Sequence, residues 1–238
     1  MKLKVLGSSS KGNGYLVYNK VSCLIIEAGV PLKEVKKALD FDTSIILGCI
    51  VSHSHQDHCK YIDDYAKAGI PIYAHESVIK ERKHHNFNAI KAEEGFKIGL
   101  FKIKPFELTH DVYNLGFLID HVDTGKFCFI TDTASIPYNF KGLNNILVEC
   151  NFETKIIDEN ETPYFLRDRV VYNHLSLEAT KHFLINTDLK HVNNIVLLHP
   201  SDSNSDISDF VRVLSLNTGK DVYVAEKGLE IDFNYLPF

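Results

Sequence analysis

The amino-acid sequence predicts an α/β protein in which two packed β-sheets carry helices on their outer faces. Strand-like and helical segments alternate in both halves of the chain, and no Pro/Gly-rich linker or low-complexity tract separates the halves. With 238 residues, of which 45% are hydrophobic, the chain can bury one sizeable core. We therefore expect a single domain over residues 1–238.

Short strands separated by turns dominate the first half of the chain. The predicted strands cover residues 2–8, 14–19, 22–29, 44–51 and 70–75. Predicted helices cover residues 31–41, 57–69 and 76–85. Pro31 suits the start of the first helix, where Leu32, Val35 and Leu39 follow at helical spacing, and Gly69 ends the second.

The second half repeats the alternation with longer strands. The predicted strands cover residues 100–108, 114–120, 126–131, 144–150 and 193–198, and residues 220–233 read as a terminal strand pair. Helices are expected over 176–188, with Ser176 as N-cap, and over 205–219, where Gly219 stops the helix.

Composition excludes some classes of protein. The net charge of −5 argues against an extended nucleic-acid footprint made by charge alone, although a local basic groove remains compatible with it. No apolar run reaches the roughly 18–20 residues of a membrane span, and the start lacks a secretory signal, so we expect a cytoplasmic protein. The five cysteines show no C-x-x-C spacing and are interpreted as reduced core thiols, including Cys59 beside the histidine cluster.

The stretch "VSHSHQDHCK", residues 51–60, is the main candidate for chemistry. His53 and His55 are two residues apart at the end of a buried strand, so both rings point to one side. Asp57 and His58 follow where the chain turns into a helix. Imidazole and carboxylate suit Zn²⁺, Mn²⁺ or Fe²⁺, and two ligand sets in one loop favour two metals about 3.5–4 Å apart. A solvated polar loop is the alternative, but it fits a lone histidine better than this cluster.

"HSHQDH" resembles the H-x-H-x-D-H motif of the metallo-β-lactamase-fold hydrolases. The resemblance extends along nearly the whole chain, because "ELTHD", "FITDTA" and "IVLLHPS" match the family's later ligand motifs in the same order, each after a strand. It implies a four-layer αββα sandwich. It also implies one metal held by His53, His55 and His110, a second held by Asp57, His58 and His199, and Asp132 as the bridge. The family's early D-x-G aspartate is replaced here by Glu27, whose orienting role is an open question.

Two positions indicate the branch of the family. Asp132 occupies the place where true β-lactamases have a cysteine, which argues against antibiotic hydrolysis. His55 occupies the place where the flavin-linked di-iron branch has a glutamate. "YNHLSLEAT" resembles the segment before a helix in the nuclease branches, including the tRNase Z type, and makes His174 the candidate proton donor and Ser176 a candidate substrate contact. The alternative is that these residues only form the start of a helix.

"LGSSSKGNGYLV", "LVECNFE" and "VYVAEKGLEI" resemble the YycJ/WalJ-like branch, which includes DNA exonucleases. Asn151 in "ECNFE" is a candidate substrate contact by this resemblance, with a strand-end turn as the alternative. Two further stretches have two readings each. "KERKHH" is either a solvated helix face or a contact to a nucleic-acid backbone, and "SSSKGNG" is either a phosphate-binding loop or a simple turn.

The predicted function is that of a hydrolase with two divalent metals, Zn²⁺ or Mn²⁺ with Fe²⁺ as a third option. Such metals lower the pKa of a bound water and orient it toward phosphorus. Asp57 would align that water, and His174 would protonate the leaving 3′ oxygen. The predicted substrate is nucleic acid, DNA rather than RNA. The alternatives are a small phosphodiester, a lactone or a thioester, or a non-catalytic metal-stabilised interaction module. Oligomeric state stays open.

Overall fold

Fourteen strands form two seven-stranded sheets in a computed structural model that describes residues 1–160 and 163–236. The first sheet has the order β14-β1-β2-β3-β4-β5-β6 and the second the order β13-β12-β11-β10-β9-β8-β7. The strands are β1 Lys2–Gly7, β2 Gly14–Tyr18, β3 Cys23–Ile26, β4 Ile46–Val51, β5 Ile72–Ala74, β6 Phe87–Ala89, β7 Phe96–Ile98, β8 Phe101–Leu108, β9 Asn114–His121, β10 Gly125–Ile130, β11 Asn145–Glu149, β12 Asn194–Leu198, β13 Asp221–Val224 and β14 Glu230–Asp232.

Helices cover the outer faces of both sheets. They are α1 Leu32–Ala38, α2 Gln56–Cys59, α3 Ile62–Lys67, α4 Glu76–Ile79, α5 Thr154–Glu159, α6 Tyr164–Asn173, α7 Leu177–Ile185 and α8 Ile207–Thr218. One buried apolar cluster fills the space between the sheets, with Phe117 and Phe127 among its members. Two other apolar clusters lie between each sheet and its helices. Tyr65 of α3 belongs to the cluster on the first sheet, and Phe183 of α7 belongs to the cluster on the second. The predicted four-layer αββα sandwich is therefore confirmed.

Strand direction gathers five chain segments at one edge. β3, β4 and β5 run parallel in the first sheet, and β10, β11 and β12 run parallel in the second. β8 points the same way as β10 because β9 is antiparallel to both. The carboxyl ends of these strands therefore lie on one side of the sandwich, where parallel sheets place their functional loops. The loops after β4, β8, β10, β11 and β12 all begin there.

The predicted helices of the first half are shorter in the structure. The helix expected over 57–69 is divided into α2 and α3, because the Tyr61 N–H donates to the Ala28 carbonyl oxygen instead of continuing the helix. The helix expected over 76–85 ends at Ile79, beyond which the run "KERKHH" offers no apolar side chain to bury. Within the same run, Arg82 forms an ion pair with Asp63, and the nucleic-acid contact stays a prediction.

Two strands and two α-helices were not predicted, and one pairing was wrong. β6, β7, α5 and α6 are all additional to the sequence prediction. The terminal strands β13 and β14 do form, but they do not pair with each other. β13 joins β12 in the second sheet, while β14 joins β1 in the first. The intervening turn crosses between sheets, and its Leu229 carbonyl oxygen accepts from the Val5 N–H.

All five cysteines are buried free thiols, as predicted. Burial raises the pKa of Cys23 and Cys128 to about 12, so both stay protonated and behave as small apolar core residues. Among the helices of residues 1–160 and 163–236, none has both the length and the apolar character to cross a membrane.

Candidate metal centre

The loop after β4 places the histidine cluster in the interior of the strand-end edge. His53 and His58 are fully buried, and their ring centroids lie 4.1 Å apart. The backbone of Asp57 is fixed by the Asn13 N–H, which donates to the Asp57 carbonyl oxygen at 2.7 Å. Gly29 packs so closely that an added Cβ would lie 1.6 Å from that oxygen, so this close approach requires glycine.

Three strand-end residues from the second sheet complete the cluster. His110 follows β8, and its Nε2 lies 3.2 Å from Nδ1 of His55. Asp132 follows β10, and its Oδ2 lies 3.8 Å from Nε2 of His53 and 3.4 Å from Nε2 of His58. His199 follows β12, with Nε2 3.4 Å from Oδ2 of Asp57. The structure thus brings together all seven residues that the sequence nominated as ligands.

Three overlapping groups of donor atoms contain Asp132: one also includes Glu149, His174 and His199, and the other two consist only of nominated ligands. His53, His55, His110 and Asp132 form one group, and Asp57, His58, Asp132 and His199 form the other, with the donor atoms of each group within 4.8 Å of one another. Nε2 of His53 is buried and has no hydrogen-bond partner in the described part of the chain, which is costly for a polar atom unless another ligand satisfies it. These nitrogen and oxygen donors fit a divalent metal.

Backbone strain is concentrated at the same edge. Glu27, Asp132 and His199 have φ values of 69°, 50° and 52°, in the left-handed region that side chains with a Cβ seldom adopt. Glu27 and His199 come directly after a buried strand, and Asp132 is the second residue after one. Such residues persist only where the surrounding structure holds them, and they accumulate at functional sites.

The electrostatics keep His53 and the two carboxylates in ligand-competent forms. Burial lowers the pKa of His53 well below its ordinary value, so its ring is neutral. Burial alone would raise the pKa of Asp132, yet the charges of His58 and His199 hold it well below its usual range. Burial would likewise raise the pKa of Asp57, but hydrogen bonds with His199 and His58 lower it. Both carboxylates are therefore ionised at neutral pH.

Glu27 and Asn13 support the cluster from behind. Glu27 is fully buried, accepts from the Ser52 N–H at 3.3 Å, and has Oε2 3.5 Å from Nδ1 of His58. It therefore contacts the second nitrogen of a ligand ring, as an orienting carboxylate does. The amide nitrogen of Asn13 donates to Oδ2 of Asp57 at 3.1 Å and lies 3.0 Å from Nε2 of His58. Asn13 belongs to "SSSKGNG", so this turn braces the cluster.

His174 adjoins the two groups and is held by Glu149. Nδ1 of His174 lies 2.6 Å from Oε1 of Glu149, which is fully buried and also accepts from the N–H groups of Thr133 and Leu175. Burial alone would lower the pKa of His174, but the charge and hydrogen bond of Glu149 raise it to about 9. Sequence reasoning missed Glu149, although a charged residue at the end of a buried strand was a usable signal.

The remaining two nominated residues lie differently. Asn151 is buried, and its amide nitrogen donates to the His199 carbonyl oxygen at 2.7 Å and lies 3.1 Å from Nδ1 of His199. It therefore positions His199 from behind, and its substrate contact stays a prediction. The Ser176 hydroxyl accepts from the Ala179 N–H at 3.1 Å, which makes Ser176 the N-cap of α7, and its substrate contact also stays a prediction.

A small pocket of about 110 Å³ opens onto the cluster. Besides predicted residues it is lined by Ser10, Asp111, Arg169 and Asn173, none of which the sequence nominated. Among residues 1–160 and 163–236 the Arg169 guanidinium has no ion-pair partner, so a cationic group faces an otherwise acidic and imidazole-rich pocket. This arrangement suits an anionic substrate group.

Comparison with protein families identifies the family of the chain. A family model described as a beta-lactamase superfamily domain matches residues 36–180, which are more than half of the chain. The chain belongs to the beta-lactamase superfamily. The predicted resemblance is thereby confirmed, and the protein is a metal-dependent hydrolase of the metallo-β-lactamase fold.

Two curated relatives resemble the chain over most of its length. One is the exodeoxyribonuclease WalJ of Streptococcus pneumoniae, 24% identical over 98% of this chain and 92% of the relative. The other is the exodeoxyribonuclease YycJ of Bacillus anthracis, 25% identical over 72% of this chain and 70% of the relative. These are the branch members that the sequence motifs resemble.

Solved structures share the fold at lower identity. The metallo-β-lactamase-fold protein YhfI of Bacillus subtilis superimposes with a TM-score of 0.73 at 16% identity, covering 97% of this chain and 98% of that one. The short form of human tRNase Z superimposes with a TM-score of 0.67 at 14% identity, covering 98% and 99%. At these identities the likeness shows the fold alone.

Proposed function

We propose that the protein is a dinuclear metal-dependent phosphodiesterase that hydrolyses nucleic acid, acting on DNA in the manner of an exonuclease. The observation that carries the proposal is the position of His174, which is paired with Glu149 and lines the same pocket as residues of both donor groups. Each of the two ligand groups could hold one cation, and Asp132 belongs to both groups. A proton donor beside two such places fits a reaction that must stabilise a leaving oxygen.

The residues of the chain have separable parts in this scheme. Two bound Zn²⁺, Mn²⁺ or Fe²⁺ ions would acidify a water molecule and screen the phosphoryl charge. The ionised Asp57 carboxylate accepts a hydrogen bond from the attacking water and aligns it with phosphorus. As the phosphorus–oxygen bond breaks, His174 gives its Nε2 proton to the leaving oxygen, because Nδ1 is engaged by Glu149. Arg169 can hold a non-bridging phosphoryl oxygen at the pocket mouth.

The DNA preference is supported by the relatives. Both are named exodeoxyribonucleases, and they match this chain over more than two thirds of its length. The overall charge of −5 means that affinity for nucleic acid must come from local contacts near the pocket. A cytoplasmic location stays a prediction, consistent with the five buried free thiols.

The test is a substrate panel with two active-site variants. The purified protein is loaded with Mn²⁺ or Zn²⁺ and given single-stranded DNA, duplex DNA and RNA of one sequence, and bis-(p-nitrophenyl) phosphate. We expect cleavage of single-stranded or duplex DNA, and its loss in Asp57→Ala. His174→Ala should lose roughly 10²–10⁴-fold in kcat on DNA, whose leaving oxygen needs a proton. The loss should be much smaller on the p-nitrophenyl ester, whose leaving group departs as a stable anion.

His182→Ala is the matched control, because His182 is an exposed histidine of α7 outside the pocket. It should leave all four activities unchanged. A protein that binds metal and opens a lactone or thioester, but cleaves no phosphodiester, would show that the proposed substrate class is wrong. Equal losses for His174→Ala on DNA and on the p-nitrophenyl ester would instead remove the proton-donor role.

A further inference from the structure

Helix α6 exposes an unusual share of the apolar surface of the protein. Thirteen large hydrophobic side chains are exposed in the described part of the chain, and four of them lie within this one helix of ten residues. Tyr164, Phe165 and Tyr172 are at least 70% exposed, and Leu166 is 41% exposed. Surface helices ordinarily bury one apolar face, yet no residue of α6 is buried. The helix therefore presents its aromatic rings to solvent.

The exposed rings are arranged around the pocket arginine. Phe165 lies four residues before Arg169 and Tyr172 lies three residues after it, so the three side chains share one face of the helix. Arg169 and Asn173 line the catalytic pocket. The face from Phe165 to Tyr172 extends about 10 Å along the helix axis, which is the length of roughly three nucleotides at 3.4 Å each.

The helix is held at its ends by polar contacts. Arg167 donates to Oδ1 of Asp158 through Nε at 3.1 Å and Nη2 at 3.0 Å. At the other end the Asn173 carbonyl oxygen lies 3.1 Å from Nδ1 of His110, and His174 caps the helix. These contacts fix the helix beside the cluster while leaving the aromatic face uncovered.

We propose that Phe165, Arg169 and Tyr172 form a stacking face that binds single-stranded DNA beside the phosphodiester to be cut. Aromatic rings stack on bases without regard to sequence, and an arginine among them can meet the phosphate charge. The stacking face is continuous with the pocket through Arg169, so a strand lying on it delivers its phosphodiester to the cluster. This inference rests on the proposed nuclease function and names the form of substrate it takes.

Binding in EDTA tests the stacking face without requiring catalysis. The Kd of a fluorescein-labelled single-stranded oligodeoxythymidine is measured by anisotropy for the wild type, for Phe165→Ala/Tyr172→Ala and for Phe41→Ala. Phe41 is a matched control because it is also 71% exposed but follows α1, outside the pocket. Because stacking on one base is worth about 1–3 kcal/mol, the double variant should bind roughly tenfold or more weakly. Tyr172→Phe should bind as the wild type does.

An abasic strand of equal length and charge separates stacking from other contacts. The wild type should bind the abasic strand more weakly than it binds oligodeoxythymidine. The double variant should bind the abasic strand with the same Kd as the wild type. Equal Kd values for wild type and double variant on oligodeoxythymidine would overturn the inference. So would a further loss on the abasic strand, or a wild-type dimer that dissociates in the double variant, since the face would then be a backbone contact or a subunit interface.

The same variants distinguish this inference from the proposed function. Hydrolysis of bis-(p-nitrophenyl) phosphate should be equal in the wild type and in Phe165→Ala/Tyr172→Ala, because that small ester does not reach the stacking face. If the wild type hydrolyses the ester but the Kd for DNA does not change when the two rings are removed, the stacking face is wrong and the phosphodiesterase assignment stands. If the rings govern DNA binding but no phosphodiester is cleaved, the assignment is wrong and the stacking face stands.

Discussion

The loop after β4 and the helix α6 contribute to one pocket but are held in opposite ways. In the loop, His53 and His58 are fully buried, and the Leu115 N–H of the second sheet donates to the Ser52 carbonyl oxygen at 3.1 Å. In the helix, no residue is buried. Donor atoms must be fixed within fractions of an ångström to hold a metal, and close packing supplies that precision. A surface that binds a flexible strand has no such requirement and can remain exposed.

His174 joins these two regions. It follows the last residue of α6, and its ring is tied to Glu149 at the end of β11. The proposed proton donor is therefore positioned by the buried scaffold, although it lies at the end of an exposed helix. Substitutions in the scaffold should then impair chemistry on every substrate, whereas substitutions on α6 should impair the use of DNA alone.

Asp132→Ala should have the largest effect, because both donor groups share this carboxylate. We expect the metal content to fall and activity on all phosphodiesters to drop by more than the roughly 10- to 100-fold that loss of an orienting residue costs. Metal at a free concentration of 100 times its Kd would stabilise the folded wild type by about 2.7 kcal/mol. EDTA should therefore lower the Tm of the wild type but not that of the variant.

Asp120→Ala is the control for this comparison, since Asp120 is a half-exposed strand residue paired with Lys102. It should retain metal, activity and the EDTA-dependent shift in Tm. Full metal content in Asp132→Ala, measured by elemental analysis, would contradict the shared-ligand arrangement.

Glu149→Gln should act on His174 without removing it. Glu149 favours the protonated ring and raises its pKa to about 9, so the variant should bring the pKa down toward or below the ordinary value of about 6.5. NMR titration of the His174 ring in the metal-free protein measures this directly. Because the folded-state pKa is raised, the pair stabilises the fold fully below pH 6.5 or so and loses that contribution as the pH rises through about 9.

Activity on DNA should fall roughly 10- to 100-fold in Glu149→Gln at pH 8, less than in His174→Ala, because a neutral ring is a poorer acid. Activity on the p-nitrophenyl ester should change little. An unchanged His174 titration, with His182 as the internal reference, would remove Glu149 from this role.

The sequence predicted the candidate metal ligands better than the residues that hold those ligands in place. The spacing of the cluster after an apolar strand indicated His53, whereas Asp132 and His199 were assigned because their motifs, each after an apolar strand, resemble those of the family. Glu149 and Asn13 act through contacts with residues far along the chain, such as Thr133 and Asp57. No local pattern encodes such pairings, so only the folded structure shows them.

The outer elements illustrate the same limit. The α6 helix has no apolar periodicity because it buries no face, so the strongest sequence signal for a helix is missing. The strands β13 and β14 were recognised individually, but they were predicted to pair. The sheet to which each belongs depends on free edges at β12 and β1, which are remote in the sequence.

Arg169→Ala should weaken DNA binding moderately and leave the scaffold intact. We expect the KM for single-stranded DNA to rise about tenfold, as for loss of one charge-assisted contact, and the slope of log Kd against log salt to decrease in magnitude by about 0.7–1. Arg169→Lys should restore the salt dependence but not the full affinity, because lysine lacks the planar fork. Arg212→Ala, at an exposed arginine of α8 paired with Asp209, should change neither quantity. An unaltered salt slope in Arg169→Ala would place the arginine outside the phosphate path.

Glu230→Gln should have the smallest effect and should change stability without changing catalysis. Glu230 on edge strand β14 pairs with Lys2 at 2.7 Å and Lys4 at 2.9 Å and accepts from the Tyr18 hydroxyl, and its hydrogen bonds to the two lysines lower its pKa to about 2. Because the folded-state pKa is depressed below the unfolded value of about 4.3, this stabilisation is complete above that pH and is lost as the pH falls through about 2.

Exposure and solvent screening limit the gain from such surface pairs to about 0.5–1 kcal/mol at pH 7. Urea unfolding should therefore show a small loss of unfolding free energy for Glu230→Gln at pH 7 that shrinks as the pH is lowered toward 2. Glu159→Gln, which removes a single exposed pair with Lys155, should lose less. Hydrolysis of bis-(p-nitrophenyl) phosphate should remain at the wild-type rate in Glu230→Gln. A fall in that rate would mean that the edge of the first sheet and the buried cluster are mechanically coupled, and the sharp division between scaffold and substrate surface would then fail.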